Sequence, residues 1–262
     1  MVDWGDGSYE YTAKALLAAT EETLRVAGIR PGTRVLDLGC GTGNAALAAA
    51  RRGGEVTAVD PAARLVEITR SRAAAEGLRL ACAQGDSLAI PAEDSSFEVL
   101  LSVFALIFAP DAELSVSEIF RVLRPGGRLA MTSWLPTGAI AEAGRILRGA
   151  VAPAAPPAAS TPPAPAWGDP AFVHRIFESR GAQVAIEEAK LEFTAASPEA
   201  WFDEQEEHHP VWRFVHRALA GQPLAWAAVR ERSVEVLRAR NEDPSAFRAT
   251  SGYLVITATK PA

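Results

Sequence analysis

Several kinds of residue that mark particular classes of protein are scarce in this sequence. Its 262 residues include two cysteines, Cys40 and Cys82, and four histidines, and neither cysteine has the spacing of a metal ligand. So few cysteines favour a reducing compartment. The net charge is −6 and there is no run of basic residues, so nucleic acid is not an expected partner.

Long apolar runs are missing as well. No stretch reaches the roughly 20 apolar residues that cross a membrane, and the first residues are acidic where a secretory signal would be basic. We therefore expect a cytoplasmic protein that contacts no membrane and holds no metal. The apolar content is nevertheless high, at 48%, which is enough for one sizeable core with added segments.

The first half of the chain alternates between apolar runs and amphipathic stretches. This order is typical of βαβ units and of a parallel sheet. The predicted strands are residues 34–38, 55–60, 78–84, 97–103 and 128–134, and the predicted helices are residues 12–26, 42–52, 62–76 and 111–123.

The second half has a different character. Residues 151–165 are almost all Ala and Pro, which predicts an extended or mobile segment. A short helix to Arg180, a strand at 181–194, helices over 198–240 with breaks at Pro210 and 221–223, and a last strand at 253–260 are predicted to follow. The expected organisation is a core over 1–150, the Ala/Pro segment and short helix over 151–181, and the last two strands over 182–262, with a helical cap inserted at about 197–248.

A glycine-rich loop follows the first predicted strand. The sequence Val35-Leu36-Asp37-Leu38 leads into Gly39-Cys40-Gly41-Thr42-Gly43-Asn44, and the next apolar run ends at Asp60. Glycine is required where a chain turns sharply or a ligand lies against the backbone. A strand, a glycine loop, a helix, a strand and an acid, in that order, describe a nucleotide site in which the acid binds the ribose hydroxyls. The dinucleotide pattern G-x-G-x-x-G is broken at its last position by Asn44.

These motifs resemble those of the class I S-adenosylmethionine (SAM)-dependent methyltransferases, most closely the branch with ubiquinone and menaquinone biosynthesis C-methyltransferases and many natural-product methyltransferases. The similar segments are residues 35–43, 58–65, 85–98, 102–108 and 118–129. The resemblance implies a doubly wound, mostly parallel seven-stranded sheet of the Rossmann-like methyltransferase type, with a helical cap insertion.

The resemblance also implies a set of cofactor-binding residues. Asp60 would bind the ribose, Leu65 would cover one face of the adenine, and Asp86 would accept its amino group. Backbone carbonyls at the end of the fourth strand would accept the methionine ammonium, and Tyr11 would lie near the sulfonium. The full set is Tyr11, Gly39, Cys40, Gly41, Asn44, Asp60, Pro61, Leu65, Gly85, Asp86, Ser87, Ser102, Val103 and Phe104.

Structural roles remain open for several of these residues. Asp60 before Pro61 is also typical of a helix N-cap, and Asp86 after a glycine is typical of a turn. Phe104 and Phe108 would equally suit a core. Tyr11 would equally pack on its own helix.

The activity that the resemblance implies is transfer of the SAM methyl group to a small acceptor by in-line displacement, with S-adenosylhomocysteine as the product. The protein would supply positioning and a dry site, so no catalytic triad is expected. The alternatives are a regulator that binds SAM or another nucleotide without turnover, and a nicotinamide-dependent reductase. Asn44 and the lack of a Tyr-x-x-x-Lys pair argue against the reductase.

The inserted helices carry the remaining candidates. Their aromatic residues, Trp201, Phe202, Trp212, Phe214 and Trp226, outnumber what short helices need for packing, which predicts a lid, together with 151–165, over an apolar or aromatic acceptor. His208, His209 and Glu207 are candidate proton acceptors. Adjacent histidines on a helix point about 100° apart, so they do not suit one metal ion. A homodimer is one assembly that the sequence leaves open.

Overall fold

The computed structural model describes residues 2–151 and 166–262. Apart from residue 151, the predicted mobile Ala/Pro segment lies outside these ranges. Contacts between residues divide the chain into two compact units. We call them the helical unit (residues 2–15, 135–151 and 190–252) and the sheet unit (residues 16–134, 166–189 and 253–262).

The strands form one seven-stranded sheet in the order β3-β2-β1-β4-β5-β7-β6. They are β1 (Arg34–Leu38), β2 (Glu55–Asp60), β3 (Ala81–Gln84), β4 (Phe97–Val103), β5 (Leu123–Trp134), β6 (Gln183–Ala195) and β7 (Phe247–Thr259). Strands β1 to β5 pair in parallel, and β7 runs antiparallel to β5. The prediction of a doubly wound, mostly parallel seven-stranded sheet is therefore confirmed.

The helices connect and flank these strands. They are α1 (Tyr9–Lys14), α2 (Leu17–Ala27), α3 (Asn44–Arg51), α4 (Ala63–Ala75), α5 (Ala112–Val122), α6 (Ala139–Ala150), α7 (Pro170–Glu178), α8 (Pro198–His208), α9 (Pro210–Ala218) and α10 (Pro223–Ala239), with a 3-10 helix at Leu106–Phe108. The breaks predicted at Pro210 and at 221–223 are confirmed, because α9 and α10 each begin at a proline, where a missing N–H costs nothing. None of the described helices has the length and apolar character needed to cross a bilayer.

The structure differs from the sequence-based expectations at three places. Residues 12–26 are not one helix: α1 ends at Lys14 and α2 begins at Leu17, because the two halves belong to different units. Helix α6 was not predicted. The strand predicted at 128–134 begins earlier, at Leu123, and Pro125-Gly126-Gly127 forms an irregularity within it, since Phe97 pairs with Leu123 and Val99 pairs with Arg128.

Register and burial fix the interior of the sheet unit. Strand β1 lies inside the sheet between β2 and β4, and four of its five residues are buried. Helix α3 buries residues 45–49, and the four alanines among them belong to a cluster with Val35, Val56 and Leu101. The alanines let α3 lie close to the sheet, which places the loop before it directly at the carboxyl end of β1.

The helical unit has a separate core. Its most buried aromatic side chains are Trp201, Phe202, Trp212 and Phe247, and Phe214 and Trp226 pack against the same cluster. The ring of Trp201 lies 6.0 Å edge-on from that of Trp212 and 5.7 Å from that of Phe247. The expectation of spare aromatic surface in the insertion was therefore wrong for Trp201, Phe202 and Trp212, whose side chains are buried in the interior of the unit, whereas Phe214 and Trp226 are partly buried. The lid itself stays a prediction.

Candidate cofactor-binding site

The glycine loop joins β1 to α3. Gly39, Gly41 and Gly43 all have left-handed backbones, with φ of +73°, +54° and +86°. A Cβ on Gly39 would lie 2.2 Å from the Cβ of Ala105, and a Cβ on Gly43 would lie 2.8 Å from Thr69. Both the backbone conformation and the close neighbours therefore require glycine at these two positions.

Asp60 ends β2 beside this loop and is 5% exposed. Its Oδ2 accepts the Gly41 N–H at 2.9 Å, and its Oδ1 accepts the Ala62 N–H at 2.9 Å. Burial raises the pKa of this carboxyl, and the two N–H donors act in the opposite direction. Each carboxylate oxygen can accept a second hydrogen bond, so both oxygens retain the capacity to accept ribose hydroxyls. The N-cap residue of α4 is Ala62, not Asp60.

The segment predicted to contact the adenine begins at Gly85, whose N–H donates to the Asp60 carbonyl at 3.1 Å. Asp86 is exposed, and its Oδ1 accepts the N–H groups of Leu88 and Ala89 at 2.8 and 3.3 Å. The hydroxyl of Ser87 lies 2.9 Å from that of Ser115. Asp86 therefore stabilises its own turn, and its contact with the adenine stays a prediction.

Leu65 and Pro61 differ sharply in exposure. Pro61 is exposed, and its carbonyl accepts the side-chain amide of Gln84 at 2.9 Å. Leu65 is 1% exposed, so its side chain lies in the interior of the sheet unit. A role of Leu65 against the adenine face stays a prediction.

The carboxyl end of β4 carries a strained aromatic residue. Phe104 has φ +51°, which is unfavourable for a bulky side chain, and its N–H donates to the Thr132 hydroxyl at 3.0 Å. Its ring stacks on Trp134 with 3.8 Å between centroids and meets Tyr253 edge-on at 5.5 Å. Ser102, fully buried, accepts the Leu106 N–H at 3.0 Å. These contacts form an aromatic cluster at the ends of β4 and β5, in which Phe104 and Tyr253 are buried, so the core packing considered for Phe104 is observed.

Phe108 ends the 3-10 helix that follows β4. Its side chain is 49% exposed. Core packing, the structural role considered for it from the sequence, therefore does not hold.

Asp37 belongs to this site and was not singled out from the sequence. It lies in β1, is 1% exposed, and accepts the Ala46 N–H, while its Oδ2 has no hydrogen-bond partner among the described residues. Burial raises its pKa to about 7, the nearby Asp60 adds to the rise, and the Ala46 N–H opposes it. In the sequence, Asp37 could have been recognised as an acidic residue among the apolar residues Val35, Leu36 and Leu38 of the predicted strand.

The remaining loop residues have structural partners. The N–H of Cys40 donates to the Val59 carbonyl at 3.0 Å, and burial raises the pKa of its thiol, which keeps it unreactive. Asn44 is the first residue of α3, and its Oδ1 accepts Nη1 of Arg72 at 3.0 Å.

Tyr11, Glu207, His208 and His209 belong to the helical unit. His209 caps α9 by accepting the Val211 N–H on Nδ1 at 3.1 Å, and burial lowers its pKa to about 4, so it is a poor proton acceptor. The ring of His208 stacks on Tyr11 at 4.2 Å, with its Nε2 3.9 Å from Glu207. Burial, followed by the charge of nearby Glu204, raises the pKa of Tyr11. Tyr11, Glu207 and His208 stay predictions as functional residues.

The sheet-unit residues fit SAM. Glycine at positions 39, 43 and 85 lets the backbone pack closely against Ala105, Thr69 and Pro91, since a Cβ there would lie 2.2–2.8 Å from these side chains. Asp60 offers acceptor oxygens, and Asp37 adds a buried oxygen without a partner. In contrast, no group of three or more His, Cys, Asp or Glu side chains in the described residues could hold a metal ion.

Residues 35–127 match the family model for a methyltransferase domain. Two uncharacterised proteins of Mycobacterium tuberculosis are similar: Rv1405c is 36% identical over 172 residues, which cover 65% of this chain and 61% of that protein, and Rv1403c is 33% identical over 189 residues, which cover 72% and 68%. The malonyl-[acyl-carrier protein] O-methyltransferase of Serratia marcescens is 33% identical over 138 residues, 53% of this chain and 52% of that protein. The match thus spans about three fifths of the length of Rv1405c.

The crystal structure of a putative methyltransferase (BH2331) from Bacillus halodurans has a TM-score of 0.65 to this chain at 19% identity, covering 94% of this chain and 100% of that one. At that identity the likeness shows the fold alone. The matched family domain, however, contains the glycine loop, Asp60 and the carboxyl end of β4. The chain therefore belongs to the class I SAM-dependent methyltransferases.

Proposed function

We propose that this protein transfers the methyl group of SAM to a small-molecule acceptor and releases S-adenosylhomocysteine. The observation that carries the proposal is the glycine loop bonded to Asp60 through the Gly41 N–H at 2.9 Å. A loop of glycines beside a buried acid is suited to a ribose and not to a metal or a disulfide. The acceptor capacity that Asp60 retains beside this loop is available to a nucleoside ligand.

The chain's own residues would bind and orient the cofactor. Asp60 would accept hydrogen bonds from the ribose hydroxyls with its remaining lone pairs. Asp86, with its neighbours Gly85 and Ser87 and with Pro61 and Leu65 from the segment after β2, would contact the adenine. The carbonyls between Ser102 and Phe104 would accept the methionine ammonium. When bound, SAM supplies an activated methyl group on a cationic sulfur, so the protein needs to position the acceptor and exclude water.

The acceptor is proposed to be apolar or aromatic. Residues 99–110 and 129–134, which include the carboxyl ends of β4 and β5, contain no charged side chain. Trp134, which is partly buried and stacks on the buried ring of Phe104, adds aromatic surface at this edge, where ligands of open α/β sheets bind. An uncharged surface of this kind favours an apolar partner over a charged one.

Two measurements test this function in sequence. The first is calorimetric titration with S-adenosylhomocysteine, which we expect to bind in a one-to-one ratio. The second is release of S-adenosylhomocysteine from SAM in the presence of pools of apolar, aromatic and carboxylic acceptors, which we expect for an apolar or aromatic pool. The same titration with NADH checks the reductase alternative and should show no heat of binding.

Each outcome has a definite meaning. Absence of binding would overturn the assignment of the cofactor site. Binding without product in any pool would favour the alternative of a SAM-binding regulator. The fold by itself does not distinguish a regulator from an enzyme.

A further inference from the structure

One face of α4 carries two polar side chains that contact the glycine loop. Thr69 and Arg72, together with Leu65, follow one another at spacings of four and three residues, which places them in one row along the helix. Thr69 is fully buried. Neither polar residue had been singled out in the sequence, because nothing in the local pattern indicates what they contact.

Thr69 makes a hydrogen bond that is unusual for a buried hydroxyl in a helix. Such hydroxyls usually bond back to the carbonyl four residues earlier, as Thr20, Thr23 and Ser233 do in this chain at 2.8–3.0 Å. The hydroxyl of Thr69 instead donates to the Gly41 carbonyl at 2.9 Å. The Thr69 side chain also packs against Gly43. A Cβ added at Gly43 would lie only 2.8 Å from the Cγ2 of Thr69.

The peptide groups on both sides of Gly41 are therefore held. Its N–H donates to Asp60, and its carbonyl accepts from Thr69. The guanidinium of Arg72 holds the next part of the loop, with Nη1 2.5 Å from the Thr42 carbonyl and 3.0 Å from Oδ1 of Asn44. One continuous segment, residues 60–72, thus holds four consecutive positions of the loop by hydrogen bonds or close contact.

We propose that Thr69 and Arg72 are positioning residues that hold the glycine loop in the conformation that receives the cofactor. The proposal rests on the proposed function of that loop. A segment with three glycines has many accessible conformations. If a ligand binds only one of these conformations, its apparent affinity falls in proportion to the fraction of molecules that adopt that conformation. Hydrogen bonds from α4 keep that conformation populated before the ligand arrives. Thr69 and Arg72 act through the loop and need not touch the ligand.

The first experiment compares Thr69→Val with Thr69→Ser. Valine keeps the shape and removes the hydroxyl, so we expect S-adenosylhomocysteine to bind about three- to tenfold more weakly by calorimetry, the usual range for one hydrogen bond. Serine keeps the hydroxyl and should restore most of the affinity. Thr23→Val is the matched control, since it removes an equally buried hydroxyl that bonds only within its own helix; it should leave the affinity at the parental value.

A second readout does not depend on any ligand. The backbone amides of residues 39–44 should exchange hydrogen faster in Thr69→Val than in the parent or in Thr23→Val. A residue with only a general structural role would lower the melting temperature without this local change in exchange.

Arg72→Met provides an independent variant, with Arg70→Met as its control. Arg70 lies on the same helix but is exposed and pairs with Glu67, so its replacement should not alter the affinity, whereas Arg72→Met should weaken binding about three- to tenfold. If Thr69→Val does not fold, this pair decides the question.

Several results would overturn the proposal: parental affinity and exchange in folded Thr69→Val, failure of serine to restore binding, or parental affinity in Arg72→Met. If the parent itself binds no S-adenosylhomocysteine, the proposed function fails instead. The exchange rates of residues 39–44 then still decide whether α4 holds the loop.

Discussion

The Oδ2 atom of Asp60 accepts the N–H of Gly41 at 2.9 Å, so the acid that ends β2 is bonded to the loop that follows β1. The residue expected to bind the ribose thus also maintains the backbone beside which the ribose would lie. Loss of its carboxylate would remove a ligand contact and a loop contact together. Variants of Asp60 should therefore affect binding more strongly than the loss of one exposed hydrogen bond would.

Asp60→Ala is predicted to weaken binding of S-adenosylhomocysteine by at least about tenfold, because hydrogen bonds to a charged group contribute about 1.5–3 kcal/mol each. Calorimetry on the folded variant measures the change. Asp169→Ala is a suitable control, since Asp169 caps α7 by accepting the Ala171 N–H and its loss should lower stability but not affinity. Unchanged affinity in folded Asp60→Ala would contradict the assigned site.

Asp86 is predicted to read the adenine amino group. Asp86→Asn keeps an oxygen that can accept both the amino group and the Leu88 N–H, so it should bind nearly as well as the parent. Asp86→Ala has no acceptor and should bind S-adenosylhomocysteine more weakly by calorimetry. If both variants match the parent, Asp86 is only a turn residue.

Asp37 is predicted to make the sheet unit less stable at higher pH. Its pKa of about 7 in the folded chain exceeds its ordinary value of 3.8, so the folded state binds the extra proton and stability falls as the pH rises between about 4 and 7. Asp37→Asn cannot lose a proton. The unfolding free energy of this variant relative to the parent should therefore rise by up to about 4 kcal/mol from pH 4 to pH 8. Denaturant titrations at the two pH values measure it, and a constant difference would show that Asp37 is ionised in the folded state throughout.

His209 is predicted to have the opposite pH dependence in the helical unit. Its pKa of about 4 lies below the ordinary 6.5, so the folded state holds it neutral and stability is lost as the pH falls from about 6.5 to 4. His209→Asn keeps a side-chain acceptor for the Val211 N–H and should remove up to about 3 kcal/mol of this acid sensitivity. Thermal unfolding at pH 7 and pH 4.5 gives the comparison. If the variant and the parent lose stability equally at pH 4.5, the loss comes from groups other than His209.

The lid predicted for residues 201–240 makes a separate prediction. Amide exchange in this range should slow when S-adenosylhomocysteine and an acceptor bind. Strong, equal protection in every state would show a fixed element. Trp201, Phe202 and Trp212 are buried, so we expect their amides to be protected to some degree in every state. The change in exchange on ligand binding, and not protection itself, is therefore the quantity that tests the lid.

The site could be predicted from the sequence where its signals are local. The strand, glycine loop and acid occur within 26 residues, and glycine and apolar periodicity determine their conformation. The bounds of β1, β2 and β4 follow from the same periodicity and agree with the structure at both ends.

Other features depend on contacts that no local pattern encodes. The bond from Thr69 to Gly41 joins residues 28 positions apart, and it requires the rotation of α4 about its axis to be known. The number of aromatic residues in the insertion is the same whether their rings are exposed or buried. Only the packing of α8 to α10 determines which of these applies. The division of residues 12–26 into two helices has a similar origin, since it follows from which unit each half joins.

The contact between Gly39 and Ala105 has a consequence for how this sequence can change over evolutionary time. A Cβ at position 39 would lie 2.2 Å from that of Ala105, so a side chain at one position excludes a side chain at the other. Reducing Ala105 to glycine would remove the clash but not the φ of +73° at Gly39, which disfavours any other residue there. Position 39 is therefore closed to substitution in two independent ways, and one of them is set by a residue 66 positions away in the sequence.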